Sequence, residues 1–174
     1  MKRFFLTLTA AAVFALSACA AIKHPSLLFT PARVEAAKKA ISTDTAMAAA
    51  WQKILAEADA QLQKGDVRKL EYPALAYQMT GDRKYSDKIR EVLGKTAKVK
   101  SWANSEMMAR TPAWRSELQM AHRAFQHALA YDAVYADMTP AERSAIARGL
   151  YNLAVEPLLG DWISEPTRIH SLNS

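Results

Sequence analysis

The stretch HALAYDAVYADMTPAER at 127–143 closes one helix and opens another within a few residues. Ala128, Leu129, Ala130, Val134 and Tyr135 carry an apolar face up to the break. Thr139, Pro140 and Glu142 then supply a complete helix start. The threonine hydroxyl can accept from the amide at Glu142, the glutamate carboxylate can reach back to the Thr139 amide, and proline fits the first helical position. The spacing predicts one helix from about Arg115 to Tyr135 and a second from Pro140 to about Leu159, folded back on each other as an αα-hairpin.

The same grammar recurs upstream. Thr30 caps a helix with Pro31 at its first position and Val34, Ala37 and Ile41 along one stripe. A second helix is predicted over about 45–63, where Met47, Trp51, Ile54, Leu55, Ala58 and Leu62 fall at helical spacing and Gly65 and Asp66 end it. A third and a fourth are joined by the TGD at 80–82. Leu75, Ala76 and Met79 face inward before the turn, Gly81 suits a left-handed C-terminal position, and Tyr85, Ile89, Val92 and Leu93 resume the pattern. Residues 100–114 read as a long loop across one end of the helices. No alternating run exceeds a few residues and no Asn-Gly or Asp-Gly turn occurs, so nothing reads as a strand.

A chain of 174 residues suits one domain with a real core, and an alanine-rich composition with only 5 glycines agrees with helices. Successive helix pairs without strands mean a solenoid or a toroid. The pairs differ in length and lack a fixed period of about 34 residues, which counts against a tetratricopeptide array. The expected fold class is therefore all-α, with antiparallel helical hairpins closing toward an (α/α) toroid over residues 31–174.

The first residues belong to targeting. Lys2 and Arg3 form a positive start, Phe4 to Leu16 an apolar run too short for a comfortable membrane span, and Leu16-Ser17-Ala18-Cys19 resembles the bacterial lipobox. Residues 1–18 are thus expected to be a lipoprotein-type signal peptide, with Cys19 acylated and residues 19–30 a tether whose Leu27, Leu28 and Phe29 pack onto the domain. The alternative is an ordinary exported chain cut after Ala20 or Ala21. With one cysteine there is no disulfide. The expected location is the periplasm or outer membrane of a Gram-negative bacterium, with the membrane touched through the lipid anchor only. The formal charge of +6 falls to +4 once Lys2 and Arg3 are removed. That balance is compatible with steering an anionic partner. Nucleic acid is not expected, because the basic residues are scattered rather than striped.

Three segments together carry a resemblance: HPSLLFTP followed by a helix, the hairpin ALAYQMTGDRKY, and SELQMAHRAFQHALAYDAVYADMTPAERSAIARGL. In order and spacing they resemble the N-terminal helical domain of the heparinase II/III-like and alginate lyase-like polysaccharide lyases, over about residues 24–174. The resemblance implies an incomplete (α/α) toroid, continued in full-length relatives by more hairpins and antiparallel sheet domains, so the chain reads as an N-terminal fragment. It also implies an anionic polysaccharide or oligosaccharide partner, no cofactor, and cleavage of uronic-acid polymers by β-elimination. That reaction neutralises the C6 carboxylate, removes the C5 proton with a base and protonates the leaving O4 with an acid. In relatives the neutralising Asn/His pair lies on a helix beginning about where this chain ends, with the catalytic Tyr and a further His beyond it.

Within the chain, His170 and Asn173 have the chemistry of a neutraliser but stand three apart rather than adjacent. Arg115, Gln119, His122 and Gln126 recur at helical spacing and are expected to share one face of the fifth helix. Either that face is simply solvated, or it borders a sugar cleft with Arg115 pairing a uronate carboxylate. Trp102, Trp114 and Trp162 sit in or beside predicted loops, where they stack on sugar rings or pack across helix ends. Tyr131 and Tyr135 are expected to line the core with their hydroxyls at the rim. His24 and His127 carry no partner pattern. No H-E-x-x-H and no cysteine cluster indicates a metal. Two other functions compete with the lyase: a surface lipoprotein binding glycans or proteins through a helical face, and an (α/α) glycosidase, for which Glu106 and Glu117 form no defensible pair.

Overall fold

Thr30 and Asp44 set the first two helices. In a computed structural model, which describes residues 22–65 and 67–164, helix α1 (Pro31–Thr43) starts where the Thr30 hydroxyl accepts from the Arg33 amide. Asp44 is the whole connection to α2 (Thr45–Leu62): its amide donates to Ala40 O of α1, while its carboxylate accepts from the Ala46 and Met47 amides of α2. One extended residue thus ends one helix and caps the next, a cap interaction of about 1 kcal/mol.

Helices α3 (Glu71–Thr80) and α4 (Arg83–Thr96) are joined by Gly81 and Asp82. Gly81 takes φ 71°, the left-handed position expected of it, and its amide returns to Tyr77 O; Asp82 caps the Lys84 amide. The loop after α4 holds one short turn of helix, α5 (Ser105–Met108). Helix α6 (Leu118–Ala133) is followed by a 3₁₀ turn, Tyr135–Asp137, and then by α7 (Pro140–Leu150). The capping box at Thr139 and Glu142 forms as the sequence predicts, and Arg90 of α4 adds a bond to the same glutamate at 2.8 Å. The run continues beyond α7 through two π turns, Tyr151–Val155 and Gly160–Ser164, with α8 (Glu156–Leu159) between them. Pro157 accounts for the first widening. It has no N–H and its ring crowds the preceding turn, and the Glu156 amide donates instead to Tyr151 O, five residues back.

All regular structure among the described residues is helical. Helix α3 is central and packs against α2, α4 and α6, while α4 also packs against α7. Leu70, Ile89, Leu93 and Val134 are fully enclosed in the main cluster, and each such side chain contributes about 1.5–3 kcal/mol relative to exposure. A smaller cluster joins Ala58, Ala76 and Tyr85, whose hydroxyl donates to Asp59.

Two expectations need correction. The fifth helix does not start at Arg115. The Arg115 and Ser116 amides both donate to the Asp161 carboxylate, at 2.8 and 2.7 Å, so the chain stays extended until Glu117 caps the Gln119 and Met120 amides. Its end is also earlier, at Ala133, and Gln78 and Arg143 satisfy the Ala133 and Tyr135 carbonyls that the helix leaves open. Of Leu27, Leu28 and Phe29, only Phe29 packs inward; Leu27 and Leu28 are 53% and 44% exposed. The Asp132 carboxylate captures the Ser26 and Leu27 amides and the His24 ring, which turns the two leucines outward.

Candidate functional site

The N-terminal half of α6 forms one wall of a cleft of about 440 Å³. Gln119, His122, Arg123, Gln126 and His127 contribute from α6, Val92 and Thr96 from the end of α4, Val99, Ser101 and Trp102 from the following loop, and Val67 and Arg68 from the segment before α3. The α6 residues fall into two adjacent rows, 119–123–127 and 122–126, which makes the polar stripe wide enough to line a cleft.

His127 is the fixed point of this wall. It is 8% exposed; its Nδ1 donates to Arg123 O at 2.8 Å and its Nε2 pairs with the Thr96 hydroxyl at 3.1 Å. A carbonyl only accepts, so Nδ1 carries a proton, and the hydroxyl, which can donate or accept, completes the pair. The imidazole packs against Trp102 with ring centroids 4.9 Å apart at 58°. The indole is thereby held at the edge of the cleft, where a flat apolar surface stands beside cationic and amide side chains. Among the described residues the lining carries no carboxylate. A pocket of this size suits a small polar ligand or one or two rings of a larger one.

The expected site residues separate. Gln119, His122 and Gln126 do come together in the cleft, and Trp102 joins them. Arg115 does not share their face, since it precedes the helix. Its guanidinium pairs with Glu156 at 3.0 Å and Asp161 at 3.4 Å, beside a second hollow of about 640 Å³ formed with Met108, Tyr151 and Leu159. Burial works against the charge of Arg115, but the two carboxylates outweigh it and raise its pKa above the usual value. Trp114 packs edge-on against Trp162 at 6.1 Å, and the Trp162 N–H donates to Ser116 Oγ, so both indoles support the Asp161 junction. Glu117 is occupied as the α6 cap, while Glu106 lies exposed in α5. His170, Asn173 and Cys19 lie outside the described residues.

The sequence does not single out Arg68 and Arg123, and it shows no partner for His127. The i, i+4, i+8 row from Gln119 was present in the sequence; what holds His127 against Trp102 is tertiary.

Asp132 and His24 form a separate junction. His24 Nδ1 stands 2.5 Å from Asp132 Oδ1, and the ring stacks on Tyr135 at 3.8 Å. Burial pushes the Asp132 carboxyl up, yet the Leu27 amide, the His24 ring and the Ser26 amide together hold it below the ordinary carboxylate range. Tyr131 and Tyr135 meet edge to face, with the Tyr131 hydroxyl donating to Arg143 O.

Among the described residues no three His, Cys, Asp or Glu side chains gather as a metal site, and no helix is long and apolar enough to cross a membrane. No protein-family model matches the chain, and no curated protein matches it.

Proposed function

We propose that the chain is the N-terminal helical part of an exported polysaccharide lyase, and that the cleft between α4 and α6 receives an acidic sugar of its polymer. One observation carries the reading: a cleft lined by Arg68, His122 and Arg123, two glutamines and the edge of Trp102, with no carboxylate among its described residues. Guanidinium groups suit planar carboxylates, amides suit sugar hydroxyls, and an indole suits a ring face. The three sequence segments that resemble the heparinase II/III-like and alginate lyase-like lyases supply the reaction class. The short connections at Asp44, at Gly81–Asp82 and over 134–139 support antiparallel hairpins of an incomplete (α/α) toroid. The lipobox supports export as a lipoprotein. The cleft supplies recognition, and the base and acid of the β-elimination come from outside it.

The test has two arms. The 174-residue chain should bind uronate oligosaccharides and not neutral oligosaccharides of the same length. It should release no unsaturated uronate, whereas the product of the entire reading frame should release it, read as ultraviolet absorbance of the conjugated double bond. Binding without product from the entire reading frame turns the reading into a glycan-binding lipoprotein; no binding to any uronan removes the cleft from the argument.

A further inference from the structure

The Asp132 junction fixes the N-terminal segment within a short reach of Cys19. His24, Ser26 and Leu27 are tied to the Asp132 carboxylate, at 2.5 Å for the His24 ring and 2.8 Å for the Leu27 amide, and Phe29 enters the core two residues later. His24 is only five positions after Cys19, a span of about 18 Å at full extension. An acyl chain on Cys19 therefore brings whatever surrounds the Asp132 junction to the bilayer surface.

What surrounds it is apolar and basic. Ile22, Leu27 and Leu28 are 71%, 53% and 44% exposed, and the same carboxylate that seizes the backbone points the two leucines outward. Lys23 is exposed beside them, and the Arg33 guanidinium donates to Leu27 O at 3.5 Å. Glu35, the exposed acid of this part of α1, is paired with Lys38. Exposed leucines with an arginine on the Leu27 carbonyl and an exposed lysine next to Ile22 in the chain match the boundary between acyl chains and anionic headgroups.

We propose that Ile22, Leu27 and Leu28, flanked by Lys23 and Arg33, form a membrane-docking surface that lays this end of the domain on an anionic bilayer. The proposal rests on the lipoprotein reading, because the tether raises the local concentration of lipid enough for a small patch to act. Docking leaves the other end of α6 pointing away from the membrane. That helix spans about 24 Å along its axis, and Arg115 and Tyr151 stand at its far end.

The experiment uses the full chain, processed in cells and reconstituted into phosphatidylethanolamine–phosphatidylglycerol vesicles. Cys19 is the sole cysteine, so once it is acylated a Leu28→Cys substitution offers one thiol for a polarity-sensitive dye. The expected result is blue-shifted emission and several-fold weaker quenching by iodide than for the same dye on Tyr151→Cys. A second variant, Leu27→Asp with Lys23→Glu, should bring amide exchange over 26–34 on vesicles back to its rate in detergent-free solution without altering the helical circular dichroism. Water-like emission at position 28 in a protein whose Cys19 is acylated by mass analysis overturns the docking surface alone. An unmodified Cys19 overturns the lipoprotein reading and the docking surface with it.

Discussion

Asp161 holds Arg115 from two sides, accepting from its amide at 2.8 Å and from its Nε at 3.4 Å, and it takes the Ser116 amide and hydroxyl as well. A carboxylate with no exposed surface thereby supplies the acceptor for two amides just before α6, which have no partner within that helix. Burial raises the Asp161 carboxyl, but the Ser116 and Arg115 amides and side chains reverse the balance and hold it below the ordinary range.

Asp161→Ala should accordingly take the acceptor away from the Arg115 and Ser116 amides and from the Ser116 O–H, whose oxygen still accepts from Trp162. The expected loss is roughly 2–4 kcal/mol in urea unfolding, together with loss of the Trp114–Trp162 near-ultraviolet signal. Glu156→Gln, which breaks only the outer ion pair of Arg115, should cost under about 1 kcal/mol. Equal effects would mean that the buried carboxylate is not the keystone of this junction.

Acid should loosen the fold in a defined window. The Thr139 amide first and the Arg90 guanidinium next lower Glu142 to about 2, and Asp132 and Asp161 are also depressed. A carboxyl with a folded pKa below its unfolded value binds its proton more weakly when folded, so unfolding takes up protons. The stabilisation is complete above the unfolded value of about 4 and disappears as pH falls toward the folded one. Stability from urea midpoints should therefore drop between about pH 4.5 and 2. Glu142→Gln should be less stable at neutral pH and lose less on acidification; an unchanged slope would remove Glu142 from the account.

Much of the fold was legible because its determinants are local. Thr30, Thr139 and Glu142 accept from amides three residues away and the Gly81 amide donates to a carbonyl four residues back, so their positions in the sequence state their roles. The start of α6 was not legible, since Asp161 lies 46 positions from the Arg115 amide it captures. Leu27 and Leu28 look like core residues in the sequence, and only the grip of Asp132 about a hundred residues away turns them out. The cleft was half legible. Gln119, His122 and Gln126 follow from helical spacing, and so does the position of His127 on the row from Gln119, whereas its contacts with Thr96 and Trp102 are revealed by no pattern within α6.

Gly149 lets α7 pass close to the end of α4. A methyl group built there would lie 2.6 Å from Ala97 Cα, a backbone atom that moves only with its helix. Gly149→Ala should destabilise the chain by about 1–3 kcal/mol despite the higher helix propensity of alanine. Gly94→Ala, in the interior of α4 with nothing within 4 Å of the added methyl, should be neutral or stabilising and serves as the control.

Arg123 lies on α6 between Gln119 and His127 and lends its carbonyl to the His127 ring. Arg123→Ala keeps that carbonyl, so the wall and Trp102 stay in place while one guanidinium is lost. A charge-assisted bond to a carboxylate is worth about 1.5–3 kcal/mol, and each 1.4 kcal/mol is tenfold, so affinity for a uronate oligosaccharide should fall roughly ten- to a hundredfold. Thr96→Val acts differently: it removes the hydroxyl bond to His127 Nε2 and so loosens the imidazole, which should weaken binding through Trp102 and alter indole fluorescence without ligand. Titration calorimetry at two salt concentrations separates the two. The Arg123→Ala loss should shrink at high salt because the bond it removes is ionic, and the Thr96→Val loss should persist. If Arg123→Ala binds as tightly as the unaltered chain at low salt, the acidic sugar lies elsewhere and the cleft reading is withdrawn.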